Sequence, residues 1–356
     1  MRKLLGILVA AALAFALVSC ASTPAPAAKP VAAKAKTVEF IPGAAPAVTV
    51  PAGVGALVDD LKARAELSAA FVEAYKTGIL SEVEFKAGPV GDKIHHWGGL
   101  EGDKGMYAQN YEGNVANANT WGIPGFIMIA MPVDGPRAFI VKEKFIEKYS
   151  FGEGFEKNNG PAGYGAPLTD SYLQDGLEYQ LFEKGLMVLD KGKVDFILGA
   201  APKAIVPDSI GVITDDVKNP ANTLSASRLA ATSAAFKVAY AQGLLSDATF
   251  KGGSGDKVHH WGGLEGDKGI LAQNCEGTRA NANTWGIPGF IMISQAFDGG
   301  RAFLVKDKFI EKYSMGEGFE KNNAPAGYGA ALTDQYVKDG SLRQLFEKGL
   351  MMFPLK

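Results

Sequence analysis

The sequence predicts an α+β fold of two tandem homologous lobes, each joining a helix to small antiparallel β units. Three observations lead there. The 356-residue chain repeats itself: "VEFIPGAAPAVTVP" at 38–51 returns as "VDFILGAAPKAIVP" at 194–207, and "AAFVEAYKTGILS" at 69–81 returns as "AAFKVAYAQGLLS" at 234–246. Within each copy the apolar spacing changes from a helical period to short runs bounded by Gly, Asn and Asp. Apolar residues make up 47% of the chain, enough for one large core or two smaller ones.

From Lys93 to Met187 against Lys257 to Met351 the copies align without a gap, and about three-quarters of the positions are identical. The second copy carries a longer connection before its helix, around "SIGVITDDVKNPANT", and stops at Lys356, which aligns with Gly192. The first lobe is therefore placed at 38–193 and the second at 194–356.

Taken in order, "LVDDLKARAELSAAFVEAYKTG" at 57–78 sets Leu57, Leu61, Phe71 and Tyr75 near helical spacing, with Gly78 as a stop. "GMYAQNYEG" and "GFIMIAM" read as strands, and "VDGPRAFIV" as a hairpin turn entering another. "VKEKFIEKY" puts Val141, Phe145 and Tyr149 on one helical face with Lys and Glu opposite. "GEGFEKNNGPAGYGAPLTD" is rich in turn formers and reads as a loop; "YQLFEKGLMVL" reads as one further strand.

Ahead of the lobes, Arg2 and Lys3 precede an apolar run from Leu4 to Val18 that is too short to span a membrane as a helix. This is the pattern of an export signal at 1–19. Leu17-Val18-Ser19-Cys20 resembles the lipobox of bacterial lipoproteins. The resemblance implies cleavage before Cys20 and its acylation, by chains such as palmitate, so that the membrane is met through a lipid anchor. Ala21 after the cysteine is similar to sorting patterns for an outer membrane. Residues 20–37, "CASTPAPAAKPVAAKAKT", bury too little apolar surface to order themselves and read as a spacer. Acylation of Cys20 leaves Cys275 alone, so no intrachain disulfide forms. Setting aside Arg2, Lys3, Lys29, Lys34 and Lys36, the formal charge of -2 becomes about -7, which argues against a nucleic-acid binder.

A shorter pattern recurs in each lobe: Q-x-aromatic-E followed by glycine at Gln109–Gly113, then Gln180 to Gly185, and again at Gln344 to Gly349. Gln273–Gly277 carries Cys275 at the aromatic position. With "YGAPLTDSYLQDGLEYQLFEKGLM" and "YGAALTDQYVKDGSLRQLFEKGLM", this resembles the LGFP repeat of bacterial envelope proteins. The resemblance implies attachment to the cell wall, with peptidoglycan or another envelope glycan as partner, and a propeller-like arrangement of β units.

All four histidines sit in "KIHHWGGLEGDKG" at 93–105 and its twin "KVHHWGGLEGDKG" at 257–269. Beyond them, "AQNYEGNVANANTWG" and "AQNCEGTRANANTWG" gather amides, a carboxylate and a tryptophan. Amides and carboxylates satisfy sugar hydroxyls, and an indole face packs on a pyranose. The candidate ligand-binding residues are His95, His96, Trp97, Gln109, Asn110, Glu112, Asn119 and Trp121, with His259, His260, Trp261, Gln273, Asn274, Glu276, Asn283 and Trp285. Two other readings stand beside this one. In the first, one ring of each histidine pair is bonded to backbone beside Trp97 or Trp261, while Asn117 and Asn119 cap turns. In the second, one histidine per lobe meets a transition metal or haem at a site shared between the lobes; neighbouring strand residues point to opposite faces and no H-x-x-x-H spacing occurs, so no metal ligand is assigned.

The chain has no G-x-S-x-G, H-E-x-x-H or Walker loop. Glu101 and Glu112, or Glu265 and Glu276, offer carboxylates without a defined separation, and Cys275 has Tyr111 as its twin. No catalytic residue and no cofactor is assigned. The expected role is non-catalytic attachment to cell-wall glycan; the alternatives are a surface module for a protein or host ligand and, third, a wall hydrolase.

Overall fold

In the computed structural model, which describes residues 36–89, 92–99, 104–119, 122–151, 160–218, 224–252, 255–262, 268–281, 286–315 and 327–355, the elements alternate between helices and short antiparallel sheets. The chain opens with strand β1 (Glu39–Pro42) and reaches helix α1 (Ala65–Leu80) through a single 3-10 turn at Asp59–Leu61. Strands β2 (Phe85–Pro89), β3 (His95–Trp97), β4 (Met106–Gly113), β5 (Ile127–Pro132) and β6 (Phe139–Val141) make one sheet in the order β2-β4-β5-β6, with β3 also on β4. Helices α2 (Glu143–Phe151) and α3 (Gly160–Tyr164) lead to β7 (Tyr172–Gln174), β8 (Leu177–Phe182), β9 (Gly185–Asp190) and β10 (Lys193–Leu198), which pair in the order β10-β9-β8-β7.

The second half runs through α4 (Ala226–Leu245) and a sheet β11-β12-β13-β14 made of His259–Trp261, Ile270–Cys275, Ile291–Ala296 and Phe303–Val305. Helix α5 (Asp307–Met315) then precedes β15 (Tyr336–Lys338), β16 (Ser341–Phe346) and β17 (Gly349–Pro354). The architecture is α+β with several small antiparallel sheets, and Lys36–Lys356 is one compact unit. Among the described residues no helix is long and apolar enough to cross a membrane.

Each large sheet is buried on both faces, and strand alternation divides its residues between two cores. Tyr107, Tyr111, Ile127, Ile129 and Met131 pack under α1 with Leu67, Phe71 and Tyr75. Their neighbours Met106, Ala108, Met128 and Ala130 point the other way, toward Phe145, Ile146 and Tyr149 of α2 and Phe182 and Met187 of the meander. The second half forms the same two layers around Phe236 and Tyr240 on one face and Phe309 and Tyr313 on the other.

Three local expectations change. The helix read at 57–78 begins only at Ala65: Leu57 instead makes a parallel bridge to Ile94, and the 3-10 turn takes Leu61. Gly78 does not stop the helix, which runs to Leu80; a Cβ there would lie 2.6 Å from Ile140 Cδ1 and 2.9 Å from Phe85 Cε2, so the glycine brings helix and sheet close. "YQLFEKGLMVL" is a hairpin rather than one strand, with Phe182 opposite Gly185 across Glu183-Lys184. In the loop read at 152–170, Gly160–Tyr164 forms the short helix α3, and residues 152–159 lie outside the described residues.

The sheets cut across the two sequence copies. Strand β10 opens the second copy but pairs with β9 of the first through Lys191-Gly192, both at positive φ, the geometry of a two-residue hairpin. Its twin β1 pairs with β17, with Glu39 opposite Met352 and Pro42 opposite Gly349, so the first strand completes the last sheet. Each half therefore holds a strand belonging to the other copy.

Candidate functional site

The histidine pairs sit on β3 and β11 with their rings turned to nearby loops. His95 Nδ1 lies 3.0 Å from Lys93 O and 3.6 Å from Asp92 Oδ1; His259 Nε2 lies 2.7 Å from Asp256 Oδ1. His96 Nε2 and His260 Nε2 each stand 3.0 Å from a backbone carbonyl eight residues on, those of Lys104 and Lys268. Trp97 and Trp261 pack, partly buried, onto the cores around Tyr149 and Phe309. The histidines thus brace turns. Among the described residues no group of three or more His, Cys, Asp or Glu is arranged to hold a metal ion.

Gln109 and Gln273 do not offer amides to a ligand. Both are fully buried: Gln109 Nε2 donates to Gly53 O at 2.8 Å and Asp92 O at 3.1 Å, while its Oε1 accepts from Gly55 N and the Tyr111 hydroxyl. Gln273 repeats this with Ser209 O, Asp256 O and Gly211 N. The physical reason is that each amide stitches the coil before the helix to the sheet, satisfying backbone groups that no ladder reaches. The glutamines of the meanders do the same, Gln180 bonding Ile140 O and Thr169 O and Gln344 bonding Leu304 O and Thr333 O.

Asn119 closes its own loop, with Nδ2 on Ile123 O at 2.6 Å and Oδ1 accepting from Ile123 N; Asn117 and Asn281 likewise hold Phe126 O and Phe290 O. Asn110 and Asn274 are half-buried, and their backbone N–H groups donate to Asp92 and Asp256. Glu112 and Glu276 pair with Lys86 and Lys251 at 3.2 and 3.4 Å. Trp121, Asn283 and Trp285 lie outside the described residues, as do Glu101 and Glu265. Cys275 is fully buried in the α4 core.

Two cavities of about 50 Å³ each lie elsewhere, on the seam where the halves meet. Between them Arg137, 5% exposed, reaches Asp170 of its own half at 3.3 Å and Asp334 of the other at 2.9 Å. Burial opposes its charge, but Asp334 and Asp170 together raise its pKa. Arg301, the twin of Arg137, crosses back to Thr77 Oγ1 at 2.7 Å and Ala138 O at 3.3 Å. Burial, then the charge of Arg137, pushes it down to about 9, so it remains protonated at neutral pH.

The first cavity is lined by Phe139, Asp170, Tyr172 and Leu173 from one half and by Gln242, Asp247, Leu304 and Lys306 from the other. Tyr172 stacks on Tyr179 with ring centroids 5.8 Å apart. Its phenol is pushed up to about 12, first by burial and then by the charge of Asp247. Every lining carboxylate is engaged: Asp170 by Arg137 and Ile140 N, Asp334 by Arg137, and Asp247 by Lys306 and, at 3.6 Å, by Arg279. At the second cavity the equivalent of Tyr179 is Arg343, which clamps Glu82 at 2.6 Å, and Tyr336 donates to the same carboxylate at 3.0 Å.

The seam was missed from sequence because its residues are single polar side chains scattered through both copies. A usable signal was present: Tyr179 against Arg343, Glu82 against Asp247 and Thr77 against Gln242 are departures between near-identical copies. No known family model matches the chain, and no curated protein is significantly similar to it.

Proposed function

We propose that the protein is a non-catalytic envelope lipoprotein that recognises cell-wall glycan, held to the membrane, on the outer-membrane pattern of its N-terminus, through acylated Cys20. The LGFP-like spacing and the lipobox-like Leu17–Cys20 support the address. The observation that carries the activity is the seam cavity, where a half-buried tyrosine stack adjoins hydroxyl and amide groups and the carboxylates are held in ion pairs. That is the chemistry of a surface that binds polyhydroxylated ligands, and it withholds a free carboxylate for acid–base work.

A second reading, a module for an apolar protein partner, is favoured by one feature: Ile197, Leu198 and Ile205 are 59%, 78% and 80% exposed. Co-sedimentation with insoluble peptidoglycan, combined with an assay for released muropeptides, separates the readings. Sedimentation without release is expected. Sedimentation with release would overturn the non-catalytic assignment, and failure to sediment would remove the wall reading in favour of a protein partner.

A further inference from the structure

Because the copies are so alike, two equivalent glycan sites per chain are the simplest expectation. The seam breaks the equivalence. At the second cavity the Tyr336 hydroxyl is taken by Glu82 and the Thr77 hydroxyl by Glu73 O and Arg301, while Nε2 of Gln335, which borders both cavities, donates to Lys306 O. At the first, the twins of Tyr336 and Thr77 are Tyr172 and Gln242, and neither side chain has a hydrogen-bond partner within the protein among the described residues. The cause is local. Asp247 is drawn to Lys306 and Arg279, whereas its twin Glu82 is drawn across the seam to Arg343, so no carboxylate is left to bond Tyr172.

Resting on the wall-glycan reading, we propose that the chain carries one glycan subsite, the cavity at Tyr172 and Gln242, and that it takes the acetamido group of an N-acylated hexosamine. About 50 Å³ admits roughly three or four water-sized probes, room enough for that group. The Gln242 amide supplies both a donor and an acceptor, and the Tyr172 hydroxyl a donor, matching one N–H and one carbonyl. Phe139, Leu173 and Leu304 provide an apolar wall for the methyl. Arg137 and Lys306 are both held by aspartates, leaving no surplus positive charge to select an acidic substituent.

The test titrates the protein calorimetrically with the trimer of N-acetylglucosamine and with its deacetylated counterpart, and sediments the same variants with sacculi. One trimer per chain is expected, with the deacetylated trimer bound at least tenfold more weakly, the worth of about one good hydrogen bond. Tyr172→Phe and Gln242→Leu should each lower trimer affinity about tenfold at unchanged melting temperature, and Tyr336→Phe should leave it alone. Two trimers per chain, or equal binding of both trimers, overturns the proposal. Sacculus binding that survives Tyr172→Phe and Gln242→Leu also overturns it while leaving wall recognition standing. Loss of both trimer and sacculus binding in the unmodified protein removes the two together.

Discussion

Phe40→Ala tests whether the first strand holds the last sheet. Phe40 lies on β1, half-buried, and meets Tyr328 edge-to-face at 4.8 Å; Val38 and Phe40 pack against the core of Phe309, Tyr313 and Phe346. Truncating a fully buried phenylalanine costs about 3–5 kcal/mol, so a half-buried one loses about 2 kcal/mol. The edge-to-face pair adds about 0.5–1.5 kcal/mol, for a total near 2.5–3.5 kcal/mol. Unfolding entropy of about 2.1 cal/mol/K per residue over the folded part gives about 0.7 kcal/mol/K, hence a melting point about 3–5 °C lower. Phe196, the twin on β10, makes the same contact with Tyr164 at 4.8 Å, so Phe196→Ala should match it. Scanning calorimetry of both variants should show one transition, shifted equally, because each strand ties the halves together. A shift under about 1 °C for Phe40→Ala, or two separate transitions, would refute closure by β1.

Two further outcomes follow from packing and from proton linkage. Gly113→Ala places a Cβ 2.6 Å from Gly125 O and 2.8 Å from Ile127 Cδ1, and since backbone cannot step aside the loss should exceed the roughly 1–3 kcal/mol of ordinary overpacking; denaturant midpoints within error of the parent would sink this. Burial raises the Tyr111 phenol; burial and Glu82 raise Tyr336; burial and Asp247 raise Tyr172 to about 12. A phenol whose folded pKa exceeds its unfolded value of about 10 contributes stability that is complete below pH 10 and is lost as pH climbs through the folded value. Stability should thus fall between about pH 10 and 12, with tyrosinate absorbance rising late, and Tyr172→Phe should remove one late-ionising phenol. Ionisation of every tyrosine near pH 10 with the fold intact would contradict the buried seam.

Periodicity and turn chemistry made much of the local structure legible. The helical faces of Phe71 and Tyr75 and of Phe145 and Tyr149, the strands at Met106–Gly113 and Ile127–Pro132, and the turn into Phe139 all follow from apolar spacing that each short segment carries by itself. The hairpin at Glu183-Lys184 was not, because an apolar run on either side of two polar residues reads as one strand until partners are assigned. The candidate site was less legible still. Gln109, Gln273, Asn117 and Asn119 have the side chains of sugar-binding residues, yet their hydrogen bonds go to the protein's own groups, chiefly backbone, and composition does not reveal which direction an amide faces.

The duplicated order of elements and the apolar faces are properties of neighbouring residues, and the sequence by itself determined them. Tertiary structure alone decided that β1 joins β17, that β10 joins β9, and that two nearly identical copies present different cavities. Those outcomes depend on contacts between residues far apart in the chain. Whether a glutamate turns toward Arg343 or an aspartate toward Lys306 is set by which side chains the folded seam brings within reach.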